Sequence, residues 1–331
     1  MLPVGTIPPS LSALLAVCRS CFTAPTFRTF CILLTGLVAQ VCLPVLACLW
    51  RPKHTGKIAL AREMTELLAA HFPHRTLHTV RDAAYVGEHL RGLNPQITWT
   101  SRLKVTSVLH ELPPPRTGKK GRPRTRGPRL GTPTDLSQQL DWHRTKVRRY
   151  GRVDTVFLAE HICLWYGSFH TRPIRVVLVR DSNCGPGTGL DRGYGTALVT
   201  TDLTTSAEQI VERYAARWAI ETAFFDARQT LGVGEARNRT RLAVERTVPF
   251  GLLACTVVTT WYALVGHQPA DTDEHRARAR WYTTKTQPSF EDMTAKLRRT
   301  IIAHRFRGPH PHQAQPEEIQ AVLTAWATAG T

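Results

Sequence analysis

The chain has 331 residues, 42 % of them hydrophobic, enough to bury the core of one large or two modest domains, which excludes an unfolded polyelectrolyte. Its 43 Lys and Arg stand against 25 Asp and Glu, a formal charge of +18, and such an excess points to a polyanionic partner such as nucleic acid. Eight cysteines include one CxxC, Cys18 and Cys21, but no second pair or spaced histidines completes a zinc site, so small thiols in a reducing compartment are the simpler reading.

In chain order, residues 9–40 read as helical. Pro8 and Pro9 lead into Leu11, Leu14, Leu15 and Val17 at a 3–4 spacing, and a second helix runs from Pro25 to about Gln40. Residues 41–47 read as a buried strand, joined to that helix without any turn residue, an abrupt junction. The run 30–50 is nearly free of charge and close to bilayer length, with Arg19 and Arg28 ahead of it. Gln40 and Pro44 interrupt it, so a membrane segment is the lesser reading. Residues 56–71 form an amphipathic helix through Ile58, Leu60, Ala61, Met64, Leu67 and Leu68. Residues 75–81 alternate as a strand that ends on Asp82, a short helix reaches Leu90, and a strand follows over 97–103: strand, helix, strand at βαβ spacing.

Residues 113–135 form a Pro/Gly/basic loop, in which the fourteen residues from Arg116 to Arg129 carry seven Lys or Arg. Lys119, Lys120, Arg122, Arg124 and Arg126 are candidate DNA contacts, and Gly121-Arg122-Pro123-Arg124 resembles the core of a minor-groove hook. The plainer alternative is a solvated linker. From 146 to 201 the pattern is β, and Trp165-Tyr166 near a strand end offers a surface for a flipped base or, more simply, two core aromatics. Helices return over 206–231, 243–265, 289–304 and 316–327. The basic face of 295–307 is a candidate phosphate contact, and His310-Pro-His312 reads as solvated tail.

The stretch 212–232 is the most informative. On one continuous helix, Tyr214, Arg217, Glu221 and Arg228 fall at offsets of 3, 7 and 14 from the tyrosine, within an arc of about 60°. Such a face offers a carboxylate for a divalent metal and cations for phosphates beside it. The alternative is a solvated face in which Arg217 simply pairs with Glu221; flanking Trp218, Ile220, Phe224 and Phe225 argue for a covered helix instead.

Those four positions resemble the Y-(2)-R-(3)-E-(6)-K signature of insertion-sequence transposases of the DDE superfamily, with Arg228 in the lysine position. The segments LVTTDL, ERYAARWAIE, GVGEARNRT, AVERTVPF, HTVRDAAYVG and LSALLAVCRSCFTAPTFRTF extend the resemblance over nearly the whole chain. It implies an α/β chain with an RNase H-like catalytic core, and a β-rich insertion between the second and third catalytic acids. Asp82 and Glu221 become those acids and the ligands of Mg²⁺ or Mn²⁺. Tyr214 and Arg217 become contacts to transposon-end DNA, and Arg228 a phosphate contact. The implied partners are double-stranded DNA, as terminal inverted repeats and target, and further copies in a homo-oligomer on that DNA. The implied place is the nucleoid in a bacterial cytoplasm, with no membrane.

One part of that pattern is absent. The first aspartate belongs on the first core strand, yet no Asp or Glu precedes Glu63. The expectation is an internal deletion near residue 40 that removes the first strands. The layout is then a truncated helical region over 1–40, a partial core over 41–110, the basic loop and β insertion over 111–205, and a C-terminal helical part over 206–331. Asp154, Asp181 and Asp202 are candidate substitute acids, Asp181 foremost because it ends an apolar strand. A copy short of one carboxylate is expected to be catalytically impaired. Rival functions are a non-catalytic remnant that occupies transposon ends or inhibits the full-length enzyme, and a membrane-anchored protein built on residues 30–50.

Overall fold

The structure, a computed structural model, describes the chain except residues 1–12, 20–26, 35–40, 51–53, 116–121, 183–191, 236, 238, 269, 279–280, 282–284, 286, 307–315 and 329–331. Lys119, Lys120, Cys21, Cys184, His310 and His312 therefore lie outside the described residues, as does Pro8-Pro9. Two compact units emerge: the described parts of 12–33 and 46–221, and those of 34–45 and 222–331.

The larger unit is organised by a nine-stranded sheet. Its strands are β1 (Ala13–Arg19), β2 (Phe27–Leu34) and β3 (Val41–Leu49), the last shared between the units, then helix α1 (Lys57–His71), β4 (Leu77–Arg81), a 3₁₀ turn (Glu88–Leu90) and β5 (Ile97–Arg102). A two-stranded ribbon follows, β6 (Leu109–His110) with β7 (Arg129–Gly131), and then short α2 (Pro133–Ser137). The chain returns to the large sheet with β8 (His143–Arg149), β9 (Arg152–Cys163), short α3 (Tyr166–Phe169), β10 (Ile174–Asp181) and β11 (Thr196–Thr200). Strand order is β3-β2-β1-β4-β5-β11-β10-β9-β8. β4 runs parallel to β1 and to β5, whereas β11, β10, β9 and β8 alternate antiparallel.

Each element follows from local chemistry. In α1, Leu60, Ala61, Met64, Thr65, Leu68 and Ala69 are buried, the stripe of a helix packed on a sheet. Arg62 fixes its loop neighbours by donating to the carbonyls of His89, Arg91 and Gly92 at 2.8, 2.7 and 3.0 Å. β10 reads Ile-Arg-Val-Val-Leu-Val and buries Val176 to Val179 without alternation, as expected of a strand covered on both faces. The β8–β9 hairpin closes through Tyr150 and Gly151 at φ 50° and 79°, the two positive angles that a type I′ turn requires and that glycine grants most readily. Edge strand β8 presents His143, Arg144, Lys146 and Arg148 to solvent, and the backbone N–H of Arg148 donates to Glu212 at 2.7 Å.

Two expectations are overturned. Residues 13–19 and 27–34 are strands where helices were expected; Val17, Phe27, Thr29, Phe30 and Ile32 suit a pleated surface, and pairing with β4 outweighs the local 3–4 spacing. The first strands are also not missing, since three precede α1. What is lacking is an acid on them. The apolar run 30–50 is correspondingly divided between β2 and β3.

Helix α4 (Ala207–Ala216) closes the larger unit, with the Ser206 hydroxyl accepting from Gln209 N at its start. Ala207, Ile210 and Val211 pack on Val147, Val156, Leu158, Val177, Val179 and Leu198, so α4 lies on the β8–β11 half of the sheet. Helix α5 (Ala219–Leu231) begins in this unit and continues in the smaller one. The smaller unit holds α6 (Arg241–Trp261), a π-helical turn (Tyr262–Gly266), α7 (Asp271–Arg278), α8 (Phe290–Phe306) and α9 (Pro316–Thr328). Among the described residues, Arg241–Gly266 is the one helix long and apolar enough to cross a bilayer.

Candidate active site

Parallel β4 and β5 end at the same edge of the sheet, with Arg81 opposite Ser101. Asp82 is the first residue beyond β4, half-buried, and its Oδ1 accepts from the backbone N of Ala84 at 2.8 Å. This small turn fixes the carboxylate at the strand tip. The residue before it, Arg81, is fully buried: its Nη2 donates to Thr65 Oγ1 at 2.9 Å and its guanidinium sits 4.8 Å from the centre of the Trp99 ring.

Three of the helix residues meet at this edge. Tyr214 is half-buried, with the Arg217 guanidinium 5.8 Å from its ring centre. Burial pushes the Tyr214 phenol up; the Arg217 and Arg102 guanidiniums pull it down, and the Asp82 carboxylate adds to the rise. The same Arg217 donates to Glu221 Oε1 at 3.3 Å. Tyr214 thus feels the Asp82 charge and stands beside Arg217, which holds Glu221.

The single helix expected over 206–231 is broken. α4 ends at Ala216 and α5 starts at Ala219. Across the break, hydrogen bonds of 3₁₀ type run from Ile220 N to Arg217 O at 3.1 Å and from Glu221 N to Trp218 O at 3.0 Å. The offsets that place four residues in one arc on a continuous helix therefore do not hold. Tyr214 belongs to α4, Arg217 to the joint and Glu221 to the first turn of α5. Arg228 stands two turns further along α5, partly exposed, in the part assigned to the smaller unit. Arg122, Arg124 and Arg126 are exposed, and Arg126 lies 5.2 Å from the centre of the Tyr166 ring.

None of the three substitute acids joins Asp82 and Glu221. Asp154 and Asp181 share the Arg149 guanidinium, at 2.9 and 2.6 Å from its Nη2. Asp181 ends β10, separated from β4 by β11 and β5, or roughly 14 Å at the usual strand spacing. Asp202 follows the C-terminal end of β11, which is antiparallel to β5, so it sits at the opposite edge from Asp82. Among the described residues no three of His, Cys, Asp and Glu form a group that could hold a metal ion. Two carboxylates, one of them already paired with arginine, fall short of the donor set that two bridged divalent ions require; the residues present do not fit that centre.

Asp202 is instead a buried anchor, a role not evident from sequence beyond the three hydroxyls that follow it. It is 3 % exposed and accepts from Thr204 N and Oγ1, Thr205 N and Oγ1, and Arg213 Nη1 at 2.9 Å. Burial raises its pKa, but the bonds from Thr205, Arg213 and Thr204 together outweigh that and hold the carboxylate well below the usual range. Arg213 also approaches His78 Nδ1 at 3.1 Å, and His78 contacts Thr98 Oγ1 at 2.7 Å. The cluster ties α4 to β4 and β11, and so sets where Tyr214 stands.

Burial and the Arg213 charge push the His78 imidazole down to about 4, against the pull of Asp202. An unfolded histidine titrates near 6.5. Because the folded value is the lower one, the stability contribution is whole above pH 6.5 and is lost as the pH falls toward 4. The difference corresponds to about 3 kcal/mol. Thermal melts should therefore drop across this window, and His78→Gln should flatten the drop; a variant melting with the parent's slope would show that His78 is not the titrating group.

Residues 34–256, about two thirds of the chain, match the family model described as "Transposase DDE domain"; the match includes both Asp82 and Glu221. No curated protein matches the sequence. Among solved structures, the chain is similar to the piggyBac transposase in a cryo-EM synaptic complex with hairpin DNA, at 11 % identity and a TM-score of 0.38, over 95 % of this chain and 57 % of that one. The chain thus spans a little over half the length of that transposase. From the extent of the family match, the chain belongs to the family of transposases with a DDE domain.

Proposed function

We propose that this chain is an insertion-sequence transposase that keeps the DNA-binding side of its active site and has lost the first carboxylate of its catalytic set. What supports the reading is that Tyr214 feels the Asp82 charge and that Arg217 joins Tyr214 to Glu221, beside a strand β1 that has no acid. Three strands ahead of the crossover helix, followed by parallel β4 and β5, are the order that the RNase H-like reading requires. On that reading β8–β11, between Asp82 and Glu221, are an insertion that extends the core sheet.

Arg217 then has two roles in sequence. Without DNA it neutralises Glu221; with DNA present it can turn its fork to a phosphate, which an arginine holds bidentately. Tyr214 stands beside Arg217, and Arg228, with Arg122, Arg124 and Arg126 of the basic loop, supplies further phosphate contacts. The ligand is duplex DNA at the element's ends and at the target, bound by more than one copy of the chain in the bacterial cytoplasm, at the nucleoid. The family's chemistry is metal-dependent cleavage and strand transfer with Mg²⁺ or Mn²⁺, for which the two carboxylates assigned here among the described residues are too few. Occupancy of transposon ends without cutting, or inhibition of a complete enzyme, is the function that remains. With three strands ahead of α1, the acid is lost by replacement on a strand that is present, and the genomic DNA upstream of codon 41 tests whether any segment was removed.

Binding is tested by titrating a labelled duplex of the element's own terminal repeat. The parent should bind with an affinity that falls steeply with salt. Arg122→Glu with Arg124→Glu should weaken binding at least ten-fold across unrelated sequences and flatten the salt dependence by about 2 in slope. An unchanged affinity and slope would remove the loop from the interface, and a parent that binds no duplex would remove the function.

A further inference from the structure

We propose that the cleft framed by Lys104, His110, Arg126, Arg129, Trp165 and Tyr166 binds unpaired nucleotides of a DNA strand, as a second DNA site beside the Asp82 edge. The cleft has a volume of about 600 Å³, the size that encloses a drug-sized ligand and hence one or two nucleotides, not a duplex. Its rim is cationic, since Lys104, Arg126 and Arg129 are all exposed. Its wall is aromatic: the Arg126 guanidinium lies over Tyr166, whose ring is 4.4 Å from that of His170, and Trp165 is buried behind. Cations that follow a backbone and rings on which bases stack are the two parts of a single-strand site.

The interior adds a third part. Ser107 Oγ and His110 Nδ1 are buried, and neither finds a hydrogen-bond partner within the protein. Buried polar atoms are normally satisfied, and here both belong to residues of the cleft wall. A base edge freed from pairing offers donors and acceptors to meet them, whereas in a duplex those groups are already engaged. Burial and the Arg126 and Arg129 charges push the His110 pKa down, which favours its neutral ring. The frame is fixed, because His110 and Leu164 exchange backbone hydrogen bonds of 3.0 and 2.7 Å.

Position links the cleft to the candidate active site. Lys104 lies three residues beyond Ser101, the partner of Arg81, within roughly 10 Å along the chain. Lys104 thus connects the strand that ends beside Arg81 to the cleft. The inference deepens the DNA-binding reading, and duplex binding is measured alongside it so that either can fail separately.

The test is fluorescence anisotropy of the full chain with labelled oligo(dT) and, in parallel, a duplex hairpin. Lys104→Ala with Arg129→Ala should weaken oligo(dT) binding at least ten-fold and reduce its salt slope by about 1.4, two phosphates' worth on single strands. Tyr166→Leu should weaken it by about five-fold or more through lost stacking. Duplex affinity should stay within about two-fold in each case. The inference is overturned by oligo(dT) affinity equal to the parent's in the double variant, or by equal losses on duplex and single strand. Both altered cations are exposed, so the double variant decides the matter even if Tyr166→Leu does not melt cooperatively.

Discussion

A supercoiled plasmid carrying the element's own ends should remain uncut by this chain in Mg²⁺ or Mn²⁺, with any nicking at least about 10³-fold below that of a complete enzyme. That factor corresponds to about 4 kcal/mol of transition-state stabilisation, a modest figure for losing a carboxylate that would bridge two ions about 3.5–4 Å apart. Glu221→Ala should leave this baseline where it is. Robust cleavage by the parent that disappears with Glu221→Ala would sink the prediction. The parallel register of β1 and β4 pairs Leu14 with His78 and Ala16 with Val80; continued by two residues it brings Cys18 level with Asp82. Cys18→Asp is therefore the substitution expected to raise Mn²⁺-dependent nicking at least ten-fold above the parent. If Mn²⁺ binding and nicking both stay unchanged, residue 18 is not the position of the lost acid.

Asp202→Asn should be the most damaging single change to stability. It leaves the Arg213 guanidinium, with a side chain only 15 % exposed, beside His78 without its carboxylate. Breaking a buried pair from one side costs about 3–5 kcal/mol, which for a chain of this size lowers the melting temperature by on the order of 10 °C. Removing a partner from the surface pair Arg241–Glu245, whose arginine is 78 % exposed, should cost less than about 1 kcal/mol, so Glu245→Gln is the control. Comparable shifts in both variants would refute the anchoring role. Because the folded Asp202 titrates below its unfolded value near 3.9, its contribution is complete above about pH 4 and is lost only in stronger acid, below the window assigned to His78.

Where one period dominated, the sequence was readable. The stripe through Leu60, Met64 and Leu68 and the unbroken Val-Val-Leu-Val of β10 each allow one structure. Around Leu14, Leu15 and Val17 the apolar residues fit either period, and only pairing with β4, distant in sequence, decides it. The break at Arg217-Trp218 has no Gly or Pro to announce it. Asp82 and Glu221 are proposed as a pair because a strand tip and a spaced motif point to them. Asp202 was legible as an acid but not as an anchor, although Thr204, Thr205 and Ser206 just after it are typical of a carboxylate turned back on its own backbone. The cleft at Lys104 was half visible, as Trp165-Tyr166 and a basic run, elements 40 residues apart that only folding joins.

The charged rim formed by β8 also bears on how molecules of this protein behave in a crowded solution. A terminal strand invites its like, because its open main-chain groups can template another ribbon. Here two such rims would bring Arg144, Lys146 and Arg148 face to face with their own copies, and Glu212 already occupies one of the amides that a newcomer would seek. Ordered stacking from that side into fibrils is therefore disfavoured by repulsion as well as by saturation.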